Sequence, residues 1–173
     1  MAFRIIRKER LNSVTTLFDI EAPLIVKEAR TGQFVVLHIG ETNERIPLTI
    51  VKKNPKKGII AIIVQEAGKT TKELALLKAG DTICDLIGPL GKHTDFGKIG
   101  KVLFVGGGVG VAEILPVVEY AKNNGNDITV IIGARTKELI ILEDELRKQI
   151  SQLIVTTDDG SYGRKGLVTL PLE

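Results

Sequence analysis

The apolar residues of this 173-residue chain change rhythm once, and that change limits what the chain can fold into. Up to about Gly91 they come in short runs of strand length, broken by polar or glycine-bearing turns. After Gly97 the order becomes strand, helix, strand, helix, strand. Strands joined by tight turns pair antiparallel, whereas parallel strands need crossovers of a dozen or more residues, usually helical. The expectation is a β unit over 1–97 followed by a parallel α/β unit over 98–173, with the boundary near 92–100.

In the first part, strands are predicted over 3–11, 14–20, 33–39, 46–51, 58–64 and 82–88. Six strands with such turns suggest an antiparallel barrel or sandwich. One helix interrupts them: Thr70 and Glu73 have capping-box spacing, Leu74 and Leu77 share a face, and Gly80 can end it. In the second part, 102–105 reads as a buried strand. Val111, Ile114, Leu115, Val118 and Ala121 then recur at helical spacing, and 127–132 is the next strand. Leu142, Leu146 and Ile150 mark a second helix, with acids early and Arg147 and Lys148 late, as the helix dipole favours. A third strand covers 153–156.

Composition excludes several classes. With 43% hydrophobic and 26% charged residues the chain can build a core, so disorder is out. A net charge of +3, spread without a basic arm, gives no signature of nucleic-acid binding. The longest apolar runs, such as 59–64, fall far short of the ~18 residues that a membrane helix needs. Residues 1–10 lack the apolar core of a signal peptide, so a cytoplasmic location without membrane contact is expected. The single cysteine, Cys84, rules out an internal disulfide and an iron–sulfur cluster held by several thiolates of this chain. No metal site is expected.

Two glycine-bearing segments could bind phosphate. Gly106, Gly107, Gly108, Val109 and Gly110 join a strand to an amphipathic helix; glycines let a phosphate approach closely, and the helix start favours an anion. The spacing departs from G-x-G-x-x-G, and Gly133-Ala134-Arg135 stands where an acidic residue would close the second strand. A tight turn against the helix would read the same way. Gly68, Lys69, Thr70 and Thr71 open the predicted helix and could hold a phosphate, or could simply cap it. Arg45-Ile46-Pro47-Leu48-Thr49 says little in isolation.

Taken in order, these segments resemble the ferredoxin-NADP reductase superfamily, a flavin-binding antiparallel barrel followed by a Rossmann-like nicotinamide-nucleotide domain. Arg45, Pro47, Leu48 and Thr49 resemble its flavin motif, with the arginine four residues before the hydroxyl. Gly68-Lys69-Thr70-Thr71-Lys72-Glu73-Leu74 is similar to its G-x-x-[ST]-x-x-L pyrophosphate helix, and Gly88-Pro89-Leu90-Gly91 to its inter-domain G-P-x-G. Gly106 to Ala112 resembles its G-G-G-x-G-x-A loop, with Glu113 where proline is frequent. The segments 44–50, 133–137 with 142–146, and 156–163 look most like the branch holding the electron-transfer subunit of dihydroorotate dehydrogenase and the small subunit of NADH-dependent ferredoxin:NADP oxidoreductase. Longer members of that branch continue with more nucleotide-domain strands and a cysteine cluster for [2Fe-2S], which Cys84 alone cannot ligate. The nucleotide domain over 98–173 is therefore expected to be incomplete at its C-terminal end.

The resemblance implies FAD as cofactor and NAD(P)H as hydride donor, with electrons passed to a larger flavin or iron–sulfur subunit or to ferredoxin. It places Thr49 at flavin N5, Arg45 and Gly68 to Thr71 at the pyrophosphate, and Val64 and Gln65 along the flavin by backbone contacts. Gly106 to Gly110 would hold the nucleotide phosphates, and Arg135, Asp158 and Gly160 would face its ribose or nicotinamide. No protein acid or base is required. Two rival functions are a stand-alone NAD(P)H:flavin reductase and a nucleic-acid-binding barrel, the latter resting only on the Lys52, Lys53, Lys56, Lys57 cluster and a calculated pI near 9.0.

Overall fold

The computed structural model describes residues 3–40, 42–150 and 152–172. The chain divides into two compact units, Met1–Thr94 and Asp95–Glu173.

In the first unit, β1 (Phe3–Asn12) and β2 (Thr15–Glu21) form a hairpin, followed by a short helix α1 (Pro23–Glu28) and by β3 (Phe34–His38). Next come β4 (Ile46–Thr49), β5 (Lys52–Asn54), β6 (Ile59–Gln65), helix α2 (Lys69–Leu74), β7 (Thr82–Ile83) and β8 (Asp85–Leu90). They make two antiparallel sheets, ordered β5-β6-β2-β1-β7 and β4-β3-β8. Two of the six predicted strand runs change sheet midway. After β4 the Ile50 N–H still bonds the Gln33 carbonyl at 3.1 Å, and one residue later the Val51 N–H bonds the Ala61 carbonyl at 2.9 Å. The predicted run 82–88, which extends to Leu90, likewise pairs first with β1 and then with β3. Because both corners join the same two sheets, the pairings run round a ring of six chain segments, as in a barrel.

Alternation along these strands fills the interior. Phe18 faces Ile62 and Ile20 faces Ile60 across the β2–β6 ladder, and all four are fully buried with Ile5, Val35, Leu37 and Leu74. Helix α1 departs from the expected turn. Pro23 sits in its first turn, where a missing N–H costs nothing, and Ile25 and Val26 join the core. Helix α2 is capped two residues earlier than predicted, at Gly68 rather than at Thr70.

The second unit is a parallel sheet, ordered β12-β11-β10-β9, from β9 (Lys101–Gly107), β10 (Asp127–Ala134), β11 (Gln152–Thr157) and β12 (Arg164–Lys165). The fourth strand was not anticipated; two residues carry no periodicity. Helix α3 (Gly110–Asn123) crosses from β9 to β10, and α4 (Glu143–Arg147) from β10 to β11. The latter is shorter than the predicted 142–150, and Leu142 at its start has φ 60°. Chain order and sheet order coincide, so successive right-handed crossovers put both helices on one face. The opposite face carries Leu103, Val105, Ile131 and Ile154, and is crossed by the segment after β12, whose Val168 reaches Gly107 and Gly133. Here the buried-strand expectation for 102–105 is corrected: none of these residues is buried, and Leu103 is 49% exposed. Among the described residues no helix is long and apolar enough to cross a membrane, and no group of three or more His, Cys, Asp or Glu could hold a metal ion.

Candidate functional site

The barrel unit brings the Arg45–Thr49 and Gly68–Thr71 segments together through bonds that the sequence does not announce. Glu44 donates its N–H to Thr70 Oγ1 at 3.3 Å, and the Asn43 amide donates to the Glu73 carboxylate. The loop before β4 is thereby fastened to α2. This corrects the predicted capping box. Thr70 is buried and clamps the loop, Glu73 takes Asn43, and the side chain that serves the helix start is Thr71. Thr71 Oγ1 accepts from the N–H groups of Gly68 at 2.9 Å and Ala67 at 3.0 Å, and donates to the Gly68 carbonyl at 3.0 Å. Replacing Thr71 with alanine leaves the Gly68 N–H without its partner, while the Ala67 N–H keeps the Gln65 carbonyl at 2.9 Å, so we expect a loss of about 1 kcal/mol in chemical unfolding and a frayed α2 by amide exchange.

Around this clamp the surface is open. A Cβ on Gly68 would meet nothing within 4 Å, and Lys69 beside it is exposed. Thr49 ends β4, half-buried, and Leu48 is half-buried beside exposed Pro47. The Val64 side chain is in the core, which leaves its backbone, with half-buried Gln65, at the end of β6. Arg45 is exposed, and its Nη1 donates to Asp85 Oδ2 at 2.7 Å, a partner forty residues away. That bond holds the Asp85 carboxyl below its ordinary value. The guanidinium therefore keeps four other donors for an anion.

The parallel unit gathers its loops at the carboxyl ends of the strands, where open α/β sheets bind ligands. Gly106 lies beneath α3: a Cβ there would come 2.8 Å from Ile114 Cδ1 and 3.1 Å from the Val111 Cα. Gly108, at φ 56°, turns the chain and donates to the Gly133 carbonyl at 2.8 Å, fixing the loop to the end of β10. Gly108 and Gly110 face open space, and Val109 caps the fourteen-residue helix, whose Val111 and Ala112 N–H groups turn back to the Gly108 and Val109 carbonyls at 3.4 and 2.9 Å. Backbone bonds lace the neighbouring loops: Asp158 N–H to the Ala134 carbonyl at 3.1 Å, and Asp159 N–H to the Arg135 carbonyl at 3.2 Å. The side chains of Arg135 and Asp158 and the backbone of Gly160 are exposed.

Sequence reasoning missed what stiffens this end. Asp159 Oδ1 accepts from the Ser161 hydroxyl at 2.7 Å and its N–H at 2.9 Å, which holds the Asp159 carboxyl low. The Ser161 oxygen also takes the Lys137 N–H at 2.9 Å. Tyr162 donates its hydroxyl to Glu143 at 3.0 Å, and Lys137 lies over its ring at 5.3 Å from the centroid. Glu143 is also paired with Arg147, so α4 braces the 156–163 loop. The Asp159-x-Ser161 spacing is an Asx-turn signal and Glu143–Arg147 an i,i+4 pair; the other partners are separated by 19, 24 and 25 residues and leave no local trace.

No family model matches the chain. It is 47% identical over 165 residues to the dihydroorotate dehydrogenase B (NAD(+)) electron transfer subunit homolog of Thermotoga maritima, which covers 95% of this chain and 58% of that protein. It is 35% identical over 158 residues to the corresponding subunit of Desulforamulus reducens, covering 89% of this chain and 60% of that protein. Among solved structures, one from the NADH-dependent reduced ferredoxin-NADP oxidoreductase superposes with a TM-score of 0.91 at 45% identity, over 98% of this chain and 61% of that one. The chain thus spans about three fifths of the length of the relatives it matches. Sequence likeness and superposition agree: over nearly all of its length the chain is similar to dihydroorotate dehydrogenase B electron-transfer subunits and to the NADH-dependent reduced ferredoxin-NADP oxidoreductase structure.

Proposed function

We propose that this chain is the flavin- and nucleotide-binding part of an electron-transfer subunit, taking a hydride from NAD(P)H to FAD and handing electrons to a partner redox subunit. The observation that carries the reading is the fastening of Asn43 and Glu44, just before Arg45 and β4, to Glu73 and Thr70 of α2, which brings the loop that leads to Arg45 and Thr49 against the helix that opens at Gly68. FAD fits the donors of these segments. Arg45 and Lys69 offer positive charge to a pyrophosphate, and Gly68 leaves room for it to approach the backbone. Thr49 would orient the ring by a hydrogen bond at N5, with Pro47, Leu48, Val64 and Gln65 beside it. When bound, the flavin supplies the exchange between a two-electron hydride and single electrons.

The nucleotide belongs to the parallel unit. Gly106 to Gly110 with the start of α3 would take its phosphates, and Arg135, Asp158 and Gly160 its ribose or nicotinamide side. The partner is the catalytic subunit of which such relatives are the electron-transfer component, with ferredoxin as a further acceptor.

Calorimetric titration with FAD tests the reading. Each of Arg45→Ala and Lys69→Ala is expected to weaken FAD about tenfold, from the loss of a charge-assisted bond worth about 1.5 kcal/mol. No heat with FAD, or equal affinity in the double variant, would sink it.

A further inference from the structure

The β4-β3-β8 sheet of the barrel unit ends, beside the loop that leads into β4, in a row of three polar side chains. Leu37 faces Ile46 and His38 faces Asp85 across the two ladders, so Arg45, one residue before β4, lies beside His38 and His38 beside Asp85. Neighbouring strands are about 4.8 Å apart, so Arg45 must span roughly 10 Å, over β3, to give its Nη1 to Asp85 Oδ2 at 2.7 Å. The Asp85 carboxylate sits on a strand and also takes the N–H of Leu86, while His38 Nε2 meets the Asn43 carbonyl at 3.1 Å and closes the loop that carries Arg45. The contact uses one corner of the guanidinium. Its Nε–Nη2 edge, which can grip two phosphate oxygens side by side, has no partner among the described residues. An exposed ion pair adds little stability, and these two side chains are 50% and 39% exposed. What the pair fixes is the direction of a side chain that would otherwise rotate freely.

We propose that Asp85 is a positioning residue for FAD, holding the Arg45 guanidinium extended across β3 with its Nε–Nη2 edge open to the pyrophosphate. This rests on the reading of Arg45 as a pyrophosphate ligand. An exposed arginine gives up rotamer freedom when it binds, and one already held at Nη1 has less to give up. Coulomb repulsion acts the other way, because Asp85 brings a negative charge towards a negatively charged group. Its carboxyl is held below its ordinary value by Arg45 and by the Leu86 N–H, so that charge is present at neutral pH. The two effects differ in sign. If Asp85 acted by charge alone, neutralising it would tighten FAD; if it positions Arg45, neutralising it loosens FAD.

Calorimetric titration of the 173-residue chain with FAD, in a double-mutant cycle of Asp85→Asn and Arg45→Ala at one ionic strength, tests this. Asp85→Asn alone is expected to weaken FAD about three- to tenfold, although it removes a negative charge. In the Arg45→Ala background the same change is expected to leave FAD unaltered or tighter, since no guanidinium remains to be held. Asp85→Glu, which keeps the carboxylate, is expected to restore most of the affinity. Equal losses in both backgrounds would make Asp85 a merely structural residue and overturn the proposal. So would unchanged or tighter FAD in Asp85→Asn, or FAD binding that Arg45→Ala does not weaken. Those results leave the cofactor reading standing, because FAD still binds; no binding of FAD to the unaltered chain overturns both. If Asp85→Asn loses its circular dichroism signal, Asp85→Ser takes its place in the cycle.

Discussion

Gly106→Val is expected to weaken NADH and NADPH binding by roughly 30- to 100-fold in calorimetry while leaving FAD binding unchanged. The glycine lies where β9 passes under α3, and the atoms that a side chain would strike include the Val111 backbone, 3.1 Å from the added Cβ. Ile114 can rotate away, but the helix backbone cannot. The strand and helix must separate, at about 1–3 kcal/mol of overpacking, and the loop between them loses its shape. Gly110→Ala separates a ligand role from a packing role. Nothing lies within 4 Å of its Cβ, and alanine is the better helix former, so stability should hold or rise by up to about 1 kcal/mol. Nucleotide affinity should nevertheless fall, because the methyl group occupies the open space in front of the helix start. Equal affinity in Gly110→Ala would mean that phosphate does not approach there.

What could be read from the sequence follows the range of the interactions involved. The α3 stripe and the six barrel runs are set by residues within a few positions of one another, so periodicity exposes them. Helix α1 escapes that test because its six residues hold one turn of apolar residues after a proline, a pattern equally suited to a loop. At the start of α2, Thr70 and Thr71 are adjacent and each fits a capping rule. Only the approach of Glu44, twenty-six residues earlier, assigns Thr70 to the loop and leaves Thr71 for the helix. The Arg45–Asp85 pair likewise depends on β4 and β8 flanking β3. Exposure of Leu103 could not be read from composition at all. An apolar run predicts a strand buried on both sides, whereas burial depends on what covers the sheet.

Phe18→Ala should act on the other half of the chemistry, and its effect should be the largest in the chain. Phe18 is a fully buried side chain at the middle of β2, facing Ile62 within the cluster that also includes Leu74 of α2. Truncation removes its transfer free energy and leaves a cavity that the ring of strands cannot close, at a cost of about 3–5 kcal/mol. That is comparable to the whole stability of a small domain. Through Leu74 the loss reaches α2 and the loop fastened to it, so FAD affinity should fall with stability. The nucleotide loop is built from β9, α3 and β10, none of which contributes to that cluster. NADH and NADPH should therefore bind Phe18→Ala nearly as well as the unaltered chain, the reverse of the Gly106→Val result. Differential scanning calorimetry should show the transition of 3–94 lowered and that of 95–172 in place, so a single Tm would not describe the variant. Simultaneous loss of both ligands, with one shared transition, would show that the two units depend on each other for folding and that the division of labour between them is wrong.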